Sequence, residues 1–235
     1  MLGDCISSLY EGSSRLQAPE VTEIISAISL ERLHPYRQGL LNDREAVARY
    51  LWNSALSEAM YPLLQALEIT FRNALHSNLS QRFSANGQDW YAPAIQLLHP
   101  PEVDEASKAI GRLTRAKKGI TPGRVVAELS FGFWTTLLSR PYERRLWPAL
   151  LPLVFPNIPS SQRTRSNVSL RFNGLRHLRN RVFHHEPVWN RPTLPNDHDT
   201  IIETIGWINP ALAGIVARHD RFMLVHRTGP SVFLP

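Results

Sequence analysis

The chain is poor in the residues that build disulfide frameworks and zinc sites. Its 235 residues include one cysteine, Cys5, which excludes an internal disulfide and any zinc site made of several cysteines. The sequence also lacks the His-Glu-x-x-His spacing of zinc hydrolases and the glycine-rich lysine loop that binds nucleoside triphosphates. We therefore expect chemistry that needs no metal and no cofactor.

Long apolar runs are missing as well. The most apolar stretch, 146–156, contains three prolines and is too short to span a bilayer. The N-terminal residues have neither the basic start nor the apolar centre of a signal peptide. These absences predict a cytoplasmic protein with no membrane partner.

Acidic side chains are absent from a long stretch of a chain whose formal charge is +6. From Arg144 to His185 there is no Asp or Glu. The guanidinium group is a planar fork of donors that fits a phosphate, so arginines in such a run favour a nucleic-acid partner. A solvated basic face is the alternative. The eight arginines of the run are Arg144, Arg145, Arg163, Arg165, Arg171, Arg176, Arg179 and Arg181.

Apolar residues recur at helical spacing, and no alternating pattern typical of strands competes with them. The pattern predicts an all-α fold in a single domain at 19–226, with tails at 1–18 and 227–235. Capping residues and prolines divide the pattern into separate helices. The predicted helices are 19–33, 42–61, 62–83, 100–118, 121–139, 142–150, 161–187 and 196–218, the last with a kink at 209–210.

Residues 178–190, which we call the motif segment, hold the main candidates for chemistry. Asn180 and His184 are four residues apart and share one face of a helix, and the long side chain of Arg179 can reach the same phosphate. An imidazole is suited to move the protons of RNA cleavage, a guanidinium to neutralise the phosphorane, and an amide to hold either group in place. The alternative is a helix end whose cations only satisfy carbonyls and the helix dipole.

Further basic side chains in and near the motif segment are predicted to bind the RNA backbone. One histidine performs one of the two proton transfers at a time, so two copies of this helix meeting at a two-fold axis would complete a site. We therefore expect a homodimer. The predicted RNA-binding side chains are Arg171, Arg176, His177, Arg181 and His185.

A second polar stripe lies on the helix predicted at 62–83. Glu68, Arg72 and His76 follow one another at four-residue spacing on an otherwise apolar helix. They are candidates to support the site, and the alternative is a buried Glu68–Arg72 pair that fixes the packing of the helix. The aromatic residues at 131, 133 and 134 are predicted to lie in the core, with stacking on a base as the alternative.

Residues 179–184, Arg-Asn-Arg-Val-Phe-His, resemble the R-x4-H motif of the HEPN superfamily. The continuation at 185–190 is similar to the Abi-like, abortive-infection branch of that superfamily. Stretches at 51–59, 67–68 and 72–74, and another at 128–134, resemble the same branch. The matches occur in family order and cover roughly residues 28–220.

The resemblance implies an HEPN-like helical bundle with extra helices and a dimeric, metal-independent endoribonuclease that leaves 2′,3′-cyclic phosphate ends. It assigns catalysis to Arg179, Asn180 and His184, in a phage-defence or toxin–antitoxin setting with an RNA or protein antitoxin as partner. One HEPN subgroup is controlled by modification of a tyrosine two residues after the histidine. Glu186 occupies that position, so we do not expect that control. The alternative functions are a non-catalytic RNA-binding module and a regulatory protein-interaction domain.

Overall fold

The computed structural model describes residues 18–39 and 42–234. The tail predicted at 1–18 therefore lies almost wholly outside the described residues. Within these ranges the chain is helical and contains no β-strand, which confirms the predicted all-α class for them. No helix in the described ranges is both long and apolar enough to cross a bilayer.

Eleven α-helices occur in the described ranges, with short 3₁₀ segments between some of them. They are α1 (Ala18–Ile28), α2 (Leu30–Leu33), α3 (Asp43–Phe83), α4 (Pro100–Arg115), α5 (Pro122–Glu128), α6 (Phe131–Thr136), α7 (Glu143–Val154), α8 (Arg165–Phe183), α9 (Leu194–Ile208), α10 (Pro210–Arg218) and α11 (Phe222–Thr228). The last helix and the 3₁₀ segment Pro230–Phe233 were not predicted from the sequence pattern.

The described residues divide into two compact units. The first unit comprises the described part of 1–64 together with 178–200 and 216–234. The second unit comprises 65–177 and 201–215. The domain boundaries predicted at residues 18 and 226 stay predictions.

The first unit is stabilised by apolar side chains of α1, α2 and the start of α3. Val21, Leu33 and Val47 are buried together, and partly buried residues of α1 pack against them. Asn42 caps α3 as predicted, since its Oδ1 accepts a hydrogen bond from the backbone N–H of Glu45 at 2.9 Å. This start fixes the helix that carries one wall of the candidate site.

Two helix boundaries predicted in this unit are wrong. The helix predicted at 19–33 breaks at Ser29, whose backbone φ is 79° and whose hydroxyl accepts from the N–H of Arg32 at 3.2 Å. The boundary predicted at Pro62 is absent, because α3 continues through that proline. A proline inside a helix loses one hydrogen bond. Buried Met60 and Leu63 on either side keep the helix packed.

The second unit has an aromatic core. The rings of Phe71 and Phe172 lie 4.3 Å apart between centroids, and those of Trp90 and Trp134 lie 5.8 Å apart. Contacts of this kind add to the stabilisation that burial of the rings already gives. The aromatic side chains at 131, 133 and 134 are at most 3% exposed, which confirms that they are core residues.

Local signals set several other boundaries. The helix predicted at 121–139 is two helices, because the hydroxyl of Ser130 accepts from the N–H of Phe133 at 3.0 Å and starts α6. The break predicted at Asn209 is confirmed, and its Oδ1 accepts from the N–H of Leu212 at 3.0 Å. Each break places a side-chain acceptor at the first turn of a new helix.

Candidate functional site

The candidate site lies at the C-terminal end of α8, in the first unit. The helix ends at Phe183 and not at Pro187, because His185 has a left-handed backbone with φ 57°. The backbone N–H of His184 still donates to the carbonyl of Asn180 at 2.8 Å. Asn180 and His184 therefore keep the shared helical face that their spacing predicts.

The last carbonyl groups of α8 are satisfied by backbone donors. The N–H of Glu186 donates to the carbonyl of Arg181 at 2.8 Å, and the N–H of His185 donates to that of Val182 at 3.2 Å. This pair of bonds around a left-handed residue is the Schellman motif. Capping of the helix therefore does not depend on the histidine side chains.

The imidazole of His184 is directed to solvent. The residue is exposed, and its ring makes no hydrogen bond or ion pair with any residue in the described ranges. Since the helix end is already capped, this side chain has no structural task that the described residues reveal. Its position suits proton exchange with a ligand.

Arg179 is held by an aromatic ring. Its guanidinium carbon lies 4.0 Å from the ring centroid of Phe183, one turn later on α8. The Phe183 ring in turn stacks on Tyr61 of α3, with centroids 5.0 Å apart and an interplanar angle of 23°. A cation–π contact of this kind contributes about 0.5–1 kcal/mol at an exposed site. The half-buried arginine is thus oriented before any substrate binds.

Arg181 has partners within the first unit. Its Nε lies 3.7 Å from a carboxylate oxygen of Glu186. Burial raises the pKa of Tyr36 to about 12, and the positive charges of Arg32 and Arg181 oppose that rise. Arg181 therefore interacts electrostatically with both Glu186 and Tyr36 within this unit.

The chain after α8 is attached to the N-terminal helices α2 and α3. Asn53 of α3 is only 4% exposed, and its Oδ1 accepts from the backbone N–H groups of Val188 at 2.7 Å and Trp189 at 3.1 Å. Arg32 donates from its guanidinium to the carbonyl oxygen of His185. These bonds fix the turn that carries the two histidines.

A cavity of about 470 Å³ lies beside this turn, entirely within the first unit. Sequence reasoning missed it, although Asn53, Ser57 and Tyr61 form a stripe at four-residue spacing that could have indicated it. The cavity is lined by Arg32, Tyr50, Asn53, Ser54, Ser57, Glu58, Tyr61, Pro62, Val182, His185 and Arg221.

The other predicted RNA-binding residues belong to the second unit. Arg171 donates to a carboxylate oxygen of Glu203 at 2.6 Å, and its guanidinium carbon lies 4.0 Å from the ring centroid of Trp207. Arg176 is half-buried and His177 is exposed. The acid-free run therefore obtains part of its charge compensation from acids elsewhere in the sequence.

The predicted supporting residues Glu68, Arg72 and His76 are all half-buried in the second unit. The Nε1–H of buried Trp90 donates to Nδ1 of His76 at 3.0 Å. Burial lowers the pKa of His76; the charge of Asp89 opposes this effect and that of Arg72 adds to it. The imidazole is thus an acceptor for a core indole.

Within the described residues, no group of three or more His, Cys, Asp or Glu side chains is placed to hold a metal ion. The motif segment and the adjoining cavity both belong to the first unit. No family model, curated protein or solved structure matches this chain, so the resemblance to Abi-like HEPN proteins stays a prediction from the motifs themselves.

Proposed function

We propose that the protein is an endoribonuclease that cleaves RNA without a metal ion, with Arg179, Asn180 and His184 as its catalytic residues. The observation that carries the proposal is the exposed imidazole of His184, on a helix end whose carbonyls are already capped by backbone N–H groups. An imidazole that the fold does not use is free to take part in proton transfer.

The chemistry follows from the ribose. His184 removes the proton of a 2′-hydroxyl, the 2′-oxygen attacks the adjacent phosphorus, and the 5′-oxygen of the next nucleotide leaves with a proton. The products are a 2′,3′-cyclic phosphate and a 5′-hydroxyl. Arg179, oriented by Phe183, neutralises the charge on the phosphorane, and Asn180 holds the phosphate or the imidazole.

The proposal includes a homodimer. A single His184 acts as base or as acid, and a second copy of the motif helix supplies the other proton transfer if the two meet at a two-fold axis. Light scattering of the purified protein is expected to give twice the chain mass. Arg171, Arg176, His177, Arg181 and His185 are proposed to bind the RNA backbone, Arg171 and Arg181 in exchange for their present carboxylate partners.

The setting that we propose is phage defence or a toxin–antitoxin pair in the cytoplasm, in which an RNA or protein antitoxin restrains the nuclease. This part of the proposal depends on the resemblance of the motif segment to Abi-like proteins. Growth arrest on expression of the wild-type chain, relieved by His184→Ala, is the expected cellular result.

The biochemical test is incubation of the purified protein with labelled tRNA and total RNA in EDTA. Wild type is expected to produce fragments with 2′,3′-cyclic phosphate ends. His184→Ala and Arg179→Ala are each expected to lower the cleavage rate by about 10²-fold or more, the scale of a lost general acid or base or a lost charge contact. The matched controls are His219→Ala and Arg218→Ala, two exposed residues of the same unit.

The same assay separates the alternatives. Full activity in His184→Ala would contradict the assignment of the site. Salt-sensitive RNA binding without cleavage by the wild type would indicate a non-catalytic RNA-binding module. Neither binding nor cleavage would indicate a protein-interaction domain.

A further inference from the structure

We propose that the cavity of about 470 Å³ in the first unit binds one unpaired nucleotide of an RNA strand. In a cleaving protein, this nucleotide would select the position at which the RNA is cut. That role rests on the proposed function, whereas nucleotide binding can be tested without any cleavage. Single-stranded RNA is recognised chiefly by unstacked bases that enter pockets of aromatic and hydrogen-bonding side chains.

The cavity adjoins the motif segment directly. Val182 lines it from the end of α8, His185 from the turn that follows, and Tyr61 from α3. Tyr61 stacks on Phe183, the ring that carries the guanidinium of Arg179. The cavity is thus linked to the guanidinium of Arg179 through the stacked rings of Tyr61 and Phe183.

The size and the walls of the cavity suit a nucleotide. Its volume falls within the range of about 300–1,000 Å³ that is usual for small-molecule sites. Tyr50 and Tyr61 supply two aromatic rings, and Tyr61 is 47% exposed although it stacks on Phe183. Stacking of a base on such a ring contributes about 1–3 kcal/mol in proteins that bind single strands.

Two polar side chains are suited to read the edge of a base. The hydroxyl oxygen of Ser57 is buried and has no hydrogen-bond partner in the described part of the chain. A buried hydroxyl without a partner is unfavourable to a fold, and Ser57 lines the cavity, so a bound base can supply the missing hydrogen bond. The Oδ1 of Asn53 already accepts hydrogen bonds from two backbone N–H groups, so its side-chain N–H groups are the atoms left to donate to a base.

The charges at the cavity suit a phosphate. Arg32 and Arg221 line it, against the single acidic residue Glu58. Arg221 and Glu58 are paired at 3.0 Å, but both side chains are more than two-thirds exposed, and such pairs contribute little to stability. A phosphate can therefore replace Glu58 as the partner of Arg221 without disturbing the core.

The test is calorimetric titration of the full chain with AMP, GMP, CMP and UMP. At least one nucleotide is expected to bind the wild type, and Ser57→Ala and Arg221→Ala are each expected to weaken its binding by about tenfold, the fold-change of one lost hydrogen bond or charge contact. Tyr61→Leu should weaken it by roughly 5- to 150-fold. Arg227→Ala, another exposed arginine of the unit, is the control that should change nothing.

Ser57→Ala is the most informative variant, because it removes an unpaired hydroxyl without touching Phe183 or Arg179. Its thermal stability should equal or exceed that of the wild type. Absence of binding of all four nucleotides at millimolar concentration, or equal binding by wild type and the three cavity variants, would overturn the proposed pocket.

The cleavage assay is read separately from the titration. Nucleotide binding that the cavity variants weaken, in a protein that cuts no RNA, supports the pocket and contradicts the proposed nuclease. RNA cleavage by a protein that binds no mononucleotide contradicts the pocket alone. In a cleaving protein, Ser57→Ala is expected to change the ranking of cleaved positions, and an unchanged ranking would overturn the selection role.

Discussion

His76 and His184 each follow a polar residue at four-residue spacing, but they differ in burial and in hydrogen bonding. His76, half-buried in the second unit, accepts a hydrogen bond from Trp90 through Nδ1 at 3.0 Å. His184, exposed in the first unit, makes no hydrogen bond with any residue that the structure describes. A ring nitrogen that satisfies a core indole stabilises packing, whereas an imidazole on a capped helix end can exchange protons with a substrate.

Replacement of each histidine by alanine is expected to have the largest effects. His184→Ala is expected to lose about 10²-fold or more in RNA cleavage and to keep the thermal midpoint of the wild type. His76→Ala is expected to do the reverse, because it leaves the indole N–H of Trp90 buried without an acceptor. The measurements are the RNA cleavage rate and the thermal midpoint of each variant. A loss of cleavage in folded His76→Ala would place that residue in the reaction.

The acceptor role of His76 can be isolated by two substitutions of similar size. His76→Leu should destabilise the protein by about 1–3 kcal/mol, the usual effect of an unsatisfied buried donor. His76→Gln keeps an acceptor for Trp90 and should remain within about 1 kcal/mol of the wild type. Urea denaturation followed by tryptophan fluorescence measures both. Equal stability of the two variants would show that the hydrogen bond contributes nothing.

The sequence predicted the polar stripe that contains His76 but not the partner that fixes it. Trp90 lies beyond the turn in which Asn86 and Gly87 have positive φ, and no local pattern links an indole there to an imidazole on the preceding helix. Arg171 is similar, since its carboxylate partner Glu203 is more than thirty residues away. Contacts between distant parts of a chain are set by packing, which a spacing rule does not describe.

Helix boundaries show the same division between local and non-local causes. The predicted cap at Asn42 and the break at Asn209 are confirmed, because one side chain satisfies the first turn in each case. The prediction that a helix begins at Pro62 is wrong: proline is typical of a first turn, but α3 continues through this one. Burial of the neighbouring residues decides whether a helix begins at a proline or continues through it, and burial depends on the assembled unit.

The pH dependence of stability tests the environment of His76 in the wild-type protein, because a change of pH alters the charge of the imidazole without replacing the side chain. Burial lowers the pKa of this imidazole below the value of about 6.5 expected in the unfolded chain. Between the two pKa values the unfolded state therefore binds more protons than the folded state. The contribution of neutral His76 to the free energy of unfolding is complete above about pH 6.5 and is lost as the pH falls from there through the pKa of the folded state. Thermal midpoints of wild type should fall from pH 7 to pH 5 more steeply than those of His76→Gln. Parallel curves would contradict the buried-acceptor assignment.

The smallest effect concerns the backbone that holds His184 in place. His185 has φ 57°, a conformation that disfavours any side chain and favours glycine. His185→Gly should stabilise the protein by roughly 0.5–1 kcal/mol through relief of this strain. The greater conformational entropy of glycine in the unfolded chain reduces that gain. The stability control is His177→Gly, an exposed position inside α8 where glycine should destabilise the helix by a few tenths of a kcal/mol. The imidazole of His185 is proposed to bind the RNA backbone, so its loss should also lower the cleavage rate by up to about tenfold, the fold-change of one lost contact. A loss of about 10²-fold or more with unchanged stability would instead make the His185 side chain catalytic, and the comparison with His76 would then include both histidines of the motif segment.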